Sequence, residues 1–205
     1  KTFDKYWDQQ LAKKITKNRK ADLIYSANTL SHIENLDEIF RAVNLALNKN
    51  GVLILEDPSL LSCLKNNAYD QFYCEHIYVF SIIALMNVLN RHKLEIFDIQ
   101  NLITHGGSNR YFIKKIDNKQ IKKSKKVKIE INKEKKYGLN KLSTFKKFSV
   151  RVEESKKKLK SILKNLNLHK KKVVGYGATA KSCTVLNFCE IGPKEISYFL
   201  DTTPD

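Results

Sequence analysis

At 205 residues and 42% hydrophobic side chains, the chain can build a real core, as one large domain or one and a half ordinary ones. No window approaches the roughly 20 consecutive apolar residues of a membrane span, and Lys1–Trp7 lacks the apolar stretch of a signal peptide, so the chain reads as soluble, cytoplasmic and without a membrane partner. The formal charge of +17 is almost all Lys spread over polar faces; its densest run, Lys122–Lys136, contains Glu130 and Glu134 and no aromatic interleaving for base stacking, which argues against a nucleic-acid surface.

In chain order, residues 4–17 carry Tyr6, Trp7, Leu11 and Ile15 about one helical turn apart and predict an amphipathic surface helix. Ala21–Ala27 predicts a short buried strand. Leu36–Leu47 has helical periodicity, with Gly51 placed to end that helix in the left-handed conformation. Val52–Leu55 predicts a strand delivering Glu56, Asp57 and Pro58 at its carboxyl end. This alternation argues for a parallel sheet wrapped by helices, with ligands beyond the carboxyl ends of the strands. Val79–Asn90 predicts a further helix, and Leu94–Ile99 and Arg110–Ile116 predict strands flanking the Thr104–Asn109 loop. Asp117–Asn140 turns polar and Lys-rich and reads as a connector, and a long amphipathic helix starts at Leu142. Lys171–Ser182 then reads as strand, glycine turn and helix, the opening of a second α/β unit. The chain opens inside a helix-like segment and stops just after a strand, which reads as a fragment of something longer. Cys63, Cys74, Cys183 and Cys189 have no paired metal or redox spacing and read as free thiols, with no metal site.

The densest chemistry lies in Tyr69–Ser81, where Tyr73, Glu75 and His76 crowd an otherwise apolar run: an arrangement suited to moving a proton, or a satisfied polar cluster. His32 follows Asn28 at i, i+4 spacing, so both can share the first turn of a helix at the sheet rim, as function or as a cap. His105 precedes Gly106 and Gly107, as a site residue or as part of a turn. Gly175, Tyr176 and Gly177, with Lys181 beyond them, have the physics of an anion loop at a helix start, or of a tight strand-to-helix turn.

Together the strings ADLIYSANTLSHI, EDPSL, YDQFYCEHIYVFS, HGGSNRY, VVGYGATAKS and LDTTPD resemble, in the same order, the motifs of the sugar C-methyltransferases that act on nucleotide-linked 4-keto-6-deoxyhexoses with S-adenosylmethionine. The resemblance implies an α/β fold: a Rossmann-like methyltransferase sheet, a helical linker and the start of a second Rossmann-like domain. Residues 1–116 would be the C-terminal half of the methyltransferase domain, 117–170 the polar connector and long helix, and 171–205 the start of the C-terminal domain. The family's zinc module and the first half of its central domain, with the glycine-rich cofactor loop, have no counterpart here, so zinc is expected only in that module. The resemblance implies His76 as the base, Tyr73 and Glu75 as partners that orient the sugar and the imidazole, and His32 as a second polarising group. It places Ala27 and Asn28 at the cofactor, and Arg110, Gly175, Tyr176, Gly177 and Lys181 at the nucleotide or between domains. Cys74 stands where members often carry a polar residue. Two rival readings stay open: a nucleotide-sugar or nicotinamide oxidoreductase, from Gly175–Ser182 and Asp201, and a basic RNA-associated or inactive module, from the charge.

Overall fold

The computed structural model describes residues 2–202, so Lys1 and, at the end of the Leu200–Asp205 string, Thr203, Pro204 and Asp205 lie outside the described residues. Helix α1 (Gln9–Ile15) starts where the Asp8 carboxylate accepts from the Leu11 amide. It packs through Leu11 and Ala12 near α2 (Leu36–Ala46), and strand β1 (Ala21–Ala27) separates the two helices in sequence. Asn35 caps α2, whose first turn carries Asp37 and Glu38 against the helix dipole and whose Phe40, Val43 and Ala46 face the core.

Strand β2 (Leu47–Pro58) leaves α2 directly. Gly51 therefore sits inside a strand and has no left-handed backbone, contrary to its expected role as a helix stop. It is glycine because a Cβ there would lie 2.8 Å from the Ala21 carbonyl oxygen and 2.9 Å from Leu47 Cδ1.

Strands β3 (Leu94–Leu102) and β4 (Ser108–Lys115) complete a sheet of order β1-β2-β4-β3. β1 runs parallel to β2, but β4 is antiparallel to both β2 and β3, so the sheet is mixed where a parallel one was expected. The reason is the short link between β3 and β4, residues 103–107, which can close a hairpin but cannot make a crossover. β1 is also less buried than expected: it is an edge strand, with Leu23 58% and Tyr25 59% exposed.

The core lies between the sheet and its helices. It joins Phe40 and Val43 of α2 and Leu53 and Leu55 of β2 to Leu85 and Leu89 of α4 (Ile82–Arg91) and to Ile96, Tyr111 and Ile113. Helix α3 (Leu60–Lys65) and a short 3-10 turn, Tyr69–Gln71, precede α4. The stretch 117–140, read as a connector, holds helix α5 (Lys125–Tyr137), which buries Val127 in that core and ends at Gly138 (φ +86°). Its buried Glu134 caps α4 from a distance, accepting from the Ile82 amide at 2.7 Å and the Ile83 amide at 3.3 Å. The Lys-rich sequence of α5 hid a face of only Val127, Glu130, Ile131 and Glu134, because polar capping gives no hydrophobic periodicity.

Helix α6 (Leu142–Leu168) leads to a smaller unit in which β5 (Gly175–Tyr176) pairs in parallel with β6 (Phe199–Leu200) beside α7 (Ala180–Cys189). This unit leans on the first through Tyr69 against Phe188, and α6 does so through Phe148 against Phe72, with ring centroids 5.5 and 6.0 Å apart. Glu190 ties α7 to α6 through Lys156 and Lys160, which hold its carboxyl down at about 2.

Candidate active site

The Tyr69–Ser81 string, beyond its opening 3-10 turn, forms an irregular loop over the carboxyl rim of the sheet, closed at the far end by Ser81, which caps α4. Within it the His76 Nδ1 lies 2.8 Å from the Gln71 carbonyl oxygen, and its Nε2 lies 3.0 Å from the Tyr73 hydroxyl. A carbonyl only accepts, so Nδ1 carries the proton; in the neutral ring Nε2 is then the acceptor, facing the Tyr73 O–H. Burial holds His76 below histidine's usual 6.5; the Gln71 carbonyl raises it in part, and the nearby charges of His32, Lys181 and His105 lower it further. Burial, with Glu75 and Cys74 nearby, pushes Tyr73 up, which keeps its hydroxyl protonated. The result is a neutral imidazole with a basic nitrogen aimed at a hydroxyl donor.

His32 stands edge-on to His76, with ring centroids 4.9 Å apart. Glu75 reaches this second imidazole, its Oε2 lying 4.0 Å from His32 Nδ1. The two histidines come from loops after β1 and before α4, so the sheet rim unites residues 44 positions apart in sequence. Asn28 and His32 do not share a helical turn as expected. Asn28 takes a left-handed conformation (φ 51°) and gives its amide to the Glu56 carbonyl at 2.7 Å, and only Leu30–His32 coils, as one 3-10 turn. Ala27 and the exposed Asn28 side chain line the end of β1 just before that turn.

Arg110 is placed elsewhere, its Nε and Nη2 both donating to Glu56 Oε2 at 3.0 and 2.9 Å and its Nη1 to Gln100. In the glycine loop, Gly177 is left-handed (φ +90°), Gly175 has a Cβ position 2.1 Å from the Phe199 ring, and the Tyr176 side chain is 75% exposed. The Ala178 amide at that loop donates to Asp201 at 2.6 Å, so an acid of the chain itself faces the amide an anion would use. Lys181, from the first turn of α7, crosses to His105 Nδ1 at 3.3 Å and so reaches the edge of the histidine pair. His105 itself is left-handed (φ 53°) between β3 and β4. Sequence reading missed two participants. The Gln71 carbonyl leaves no trace in side-chain identity, and Asp57 was noted only as one of three residues ending β2. Among the described residues no group of three or more His, Cys, Asp or Glu side chains is placed to hold a metal, and no helix is long and apolar enough to cross a membrane.

The family profile of the C-methyltransferase C-terminal domain matches residues 103–205, and that of a methyltransferase domain matches residues 2–98. The C-methyltransferase NovU of Streptomyces niveus is 28% identical over 189 residues, 92% of this chain and 44% of that protein, so the chain spans less than half the length of this relative. Among solved structures, an S-adenosylmethionine-dependent methyltransferase from Clostridium acetobutylicum is 17% identical at a TM-score of 0.37, over 47% of this chain and 59% of its own. One from Anabaena variabilis is 15% identical at a TM-score of 0.41, over 53% and 55%. These two structural likenesses are partial. The match across residues 103–205 shows that the chain belongs to the C-methyltransferase family.

Proposed function

We propose that this chain carries the proton-transfer half of an S-adenosylmethionine-dependent C-methyltransferase acting on a nucleotide-linked 4-keto-6-deoxy sugar. The observation that carries the reading is the fixed tautomer of His76, whose Nδ1 is tied to a backbone carbonyl while its Nε2 faces the site. A neutral imidazole held below its ordinary pKa is a base suited to a carbon acid beside a ketone. His76 Nε2 takes that proton, displacing the Tyr73 hydroxyl, which then turns to donate to the developing oxyanion with His32 as a second donor. Glu75, whose Oε2 lies 4.0 Å from His32 Nδ1, orients the ring for that donation. S-adenosylmethionine, when bound, supplies the methyl group that the resulting carbon nucleophile accepts.

Ala27 and Asn28 suit one wall of the cofactor site: a small side chain, then a left-handed residue with an exposed amide side chain, at the carboxyl rim of β1. Lys181, donating to His105 Nδ1, brings positive charge to the open side of the histidine pair, where a substrate diphosphate would be held. Gly175 and Gly177 shape the turn that delivers Lys181, and Asp201 braces it. Methyl transfer from labelled S-adenosylmethionine to dTDP- and GDP-linked 4-keto-6-deoxyhexoses tests this reading. The complete protein is expected to turn over at least one of them and His76→Asn to lose at least ~100-fold. Turnover retained in His76→Asn, or none on any keto sugar, contradicts the reading.

A further inference from the structure

Asp57 has no part in the chemistry above, yet it lies directly beneath it. It is the second-last residue of β2, 1% exposed, in a sheet position opposite the buried Asn109 of β4. Its Oδ1 accepts from the Ser31 amide at 3.1 Å, and its Oδ2 is sealed from solvent without a hydrogen-bond partner. A buried carboxylate that is only half satisfied destabilises a fold, so its place under the site calls for a local benefit.

The Ser31 peptide shows what that benefit is. Asp57 holds its N–H, while its carbonyl accepts from the Tyr78 amide at 3.2 Å, and the Tyr78 hydroxyl donates to the Glu34 carbonyl at 3.0 Å. The turn Leu30–His32 is thus gripped from the sheet below and from the His76 loop beside it. His32 is the next residue, and its ring stands edge-on to that of His76. We propose that Asp57 is a positioning residue, whose carboxylate anchors the Ser31 peptide and thereby sets His32 against the His76 base.

This inference rests on the proposed role of the histidine pair, but its test reads the anchor itself. The groups that face Asp57 are the Leu30 amide, Ser31, His32 and, from β4, Tyr111. Burial pushes Asp57 up to about 6, against the pull of Ser31 and of His32. In the protein itself, the Ser31 amide proton is therefore expected to resonate downfield and to titrate with a midpoint near 6. Asp57→Asn, which keeps a carbonyl oxygen for Ser31, is expected to retain the cross-peak between the His32 and His76 rings, whereas Asp57→Ala loses it. In the methyl-transfer assay Asp57→Ala is expected to lower kcat by about tenfold or more with little change in KM, and Asp57→Asn to recover most of it. A Ser31 amide that lacks the downfield position of a charge-assisted bond overturns the proposal, even where Asp57→Ala fails to fold. So does an unaltered ring cross-peak in a folded Asp57→Ala. A titrating amide together with inactivity on every keto sugar would support the anchor while overturning the function assigned to the pair.

Discussion

The two α/β units of this chain are built on opposite terms. The mixed sheet, with its helices, wraps one apolar core from Leu30 to Val127, in which Phe40, Leu85, Leu89 and Ile113 are fully enclosed. The smaller unit after α6 has two-residue strands whose Phe199, Leu200 and Tyr176 stay partly or largely exposed, and Cys189 is the only buried residue of β5, α7 and β6. The difference teaches where precision resides. His32, Asp57 and His76 are fixed by the rim of a sheet with a well-buried core, whereas Lys181 reaches the neighbouring His105 from a unit held mainly by ring contacts and by Lys156, Lys160 and Glu190.

The largest expected effects test that contrast in stability. Phe40→Ala should cost about 3–5 kcal/mol, because it empties an enclosed core position, while Leu200→Ala should stay within about 0.5 kcal/mol. Denaturant midpoints of the two variants check this, and equal losses would erase the distinction between the units. Next comes Asp57. Its folded pKa near 6 lies above the ordinary 3.8, so the native state binds the extra proton between those values and loses stability as pH rises through them. Asp57→Asn should accordingly be more stable than the parent by about 1–3 kcal/mol at pH 8, with the gap closing as pH falls from about 6 to about 4. Melting temperatures across pH read this, and a gap independent of pH would mean that Asp57 is not a strained acid. The smallest effect belongs to the junction. Lys181→Ala should raise KM for the nucleotide sugar by about three- to tenfold with kcat nearly kept, as expected when a charge binds but does not react. A collapse of kcat in that variant would place Lys181 inside the chemistry.

Much of the sheet unit was legible because burial writes itself as periodicity. β1 matched its expected span, and α2 follows Phe40, Val43 and Ala46 at helical spacing. The Tyr73, Glu75 and His76 cluster stood out as polar residues in an apolar run. What escaped reading was set by three-dimensional neighbours. The antiparallel insertion of β4 depends on a five-residue link, α5 is anchored by a buried Glu134, and Gly51 answers a close approach to Ala21. The pairing of Glu75 with His32 and the anchoring of Ser31 by Asp57 depend on loops that meet only at the sheet rim.

The central claim is that His76 removes a proton from the carbon beside a ketone, and this step can be observed without methyl transfer. In deuterated water, with S-adenosylhomocysteine in place of the methyl donor, the complete protein should wash deuterium into that carbon of its keto sugar, as followed by proton NMR, and His76→Asn should slow the exchange by ~100-fold or more. Exchange at the parent rate in His76→Asn would show that another group is the base and would contradict the account.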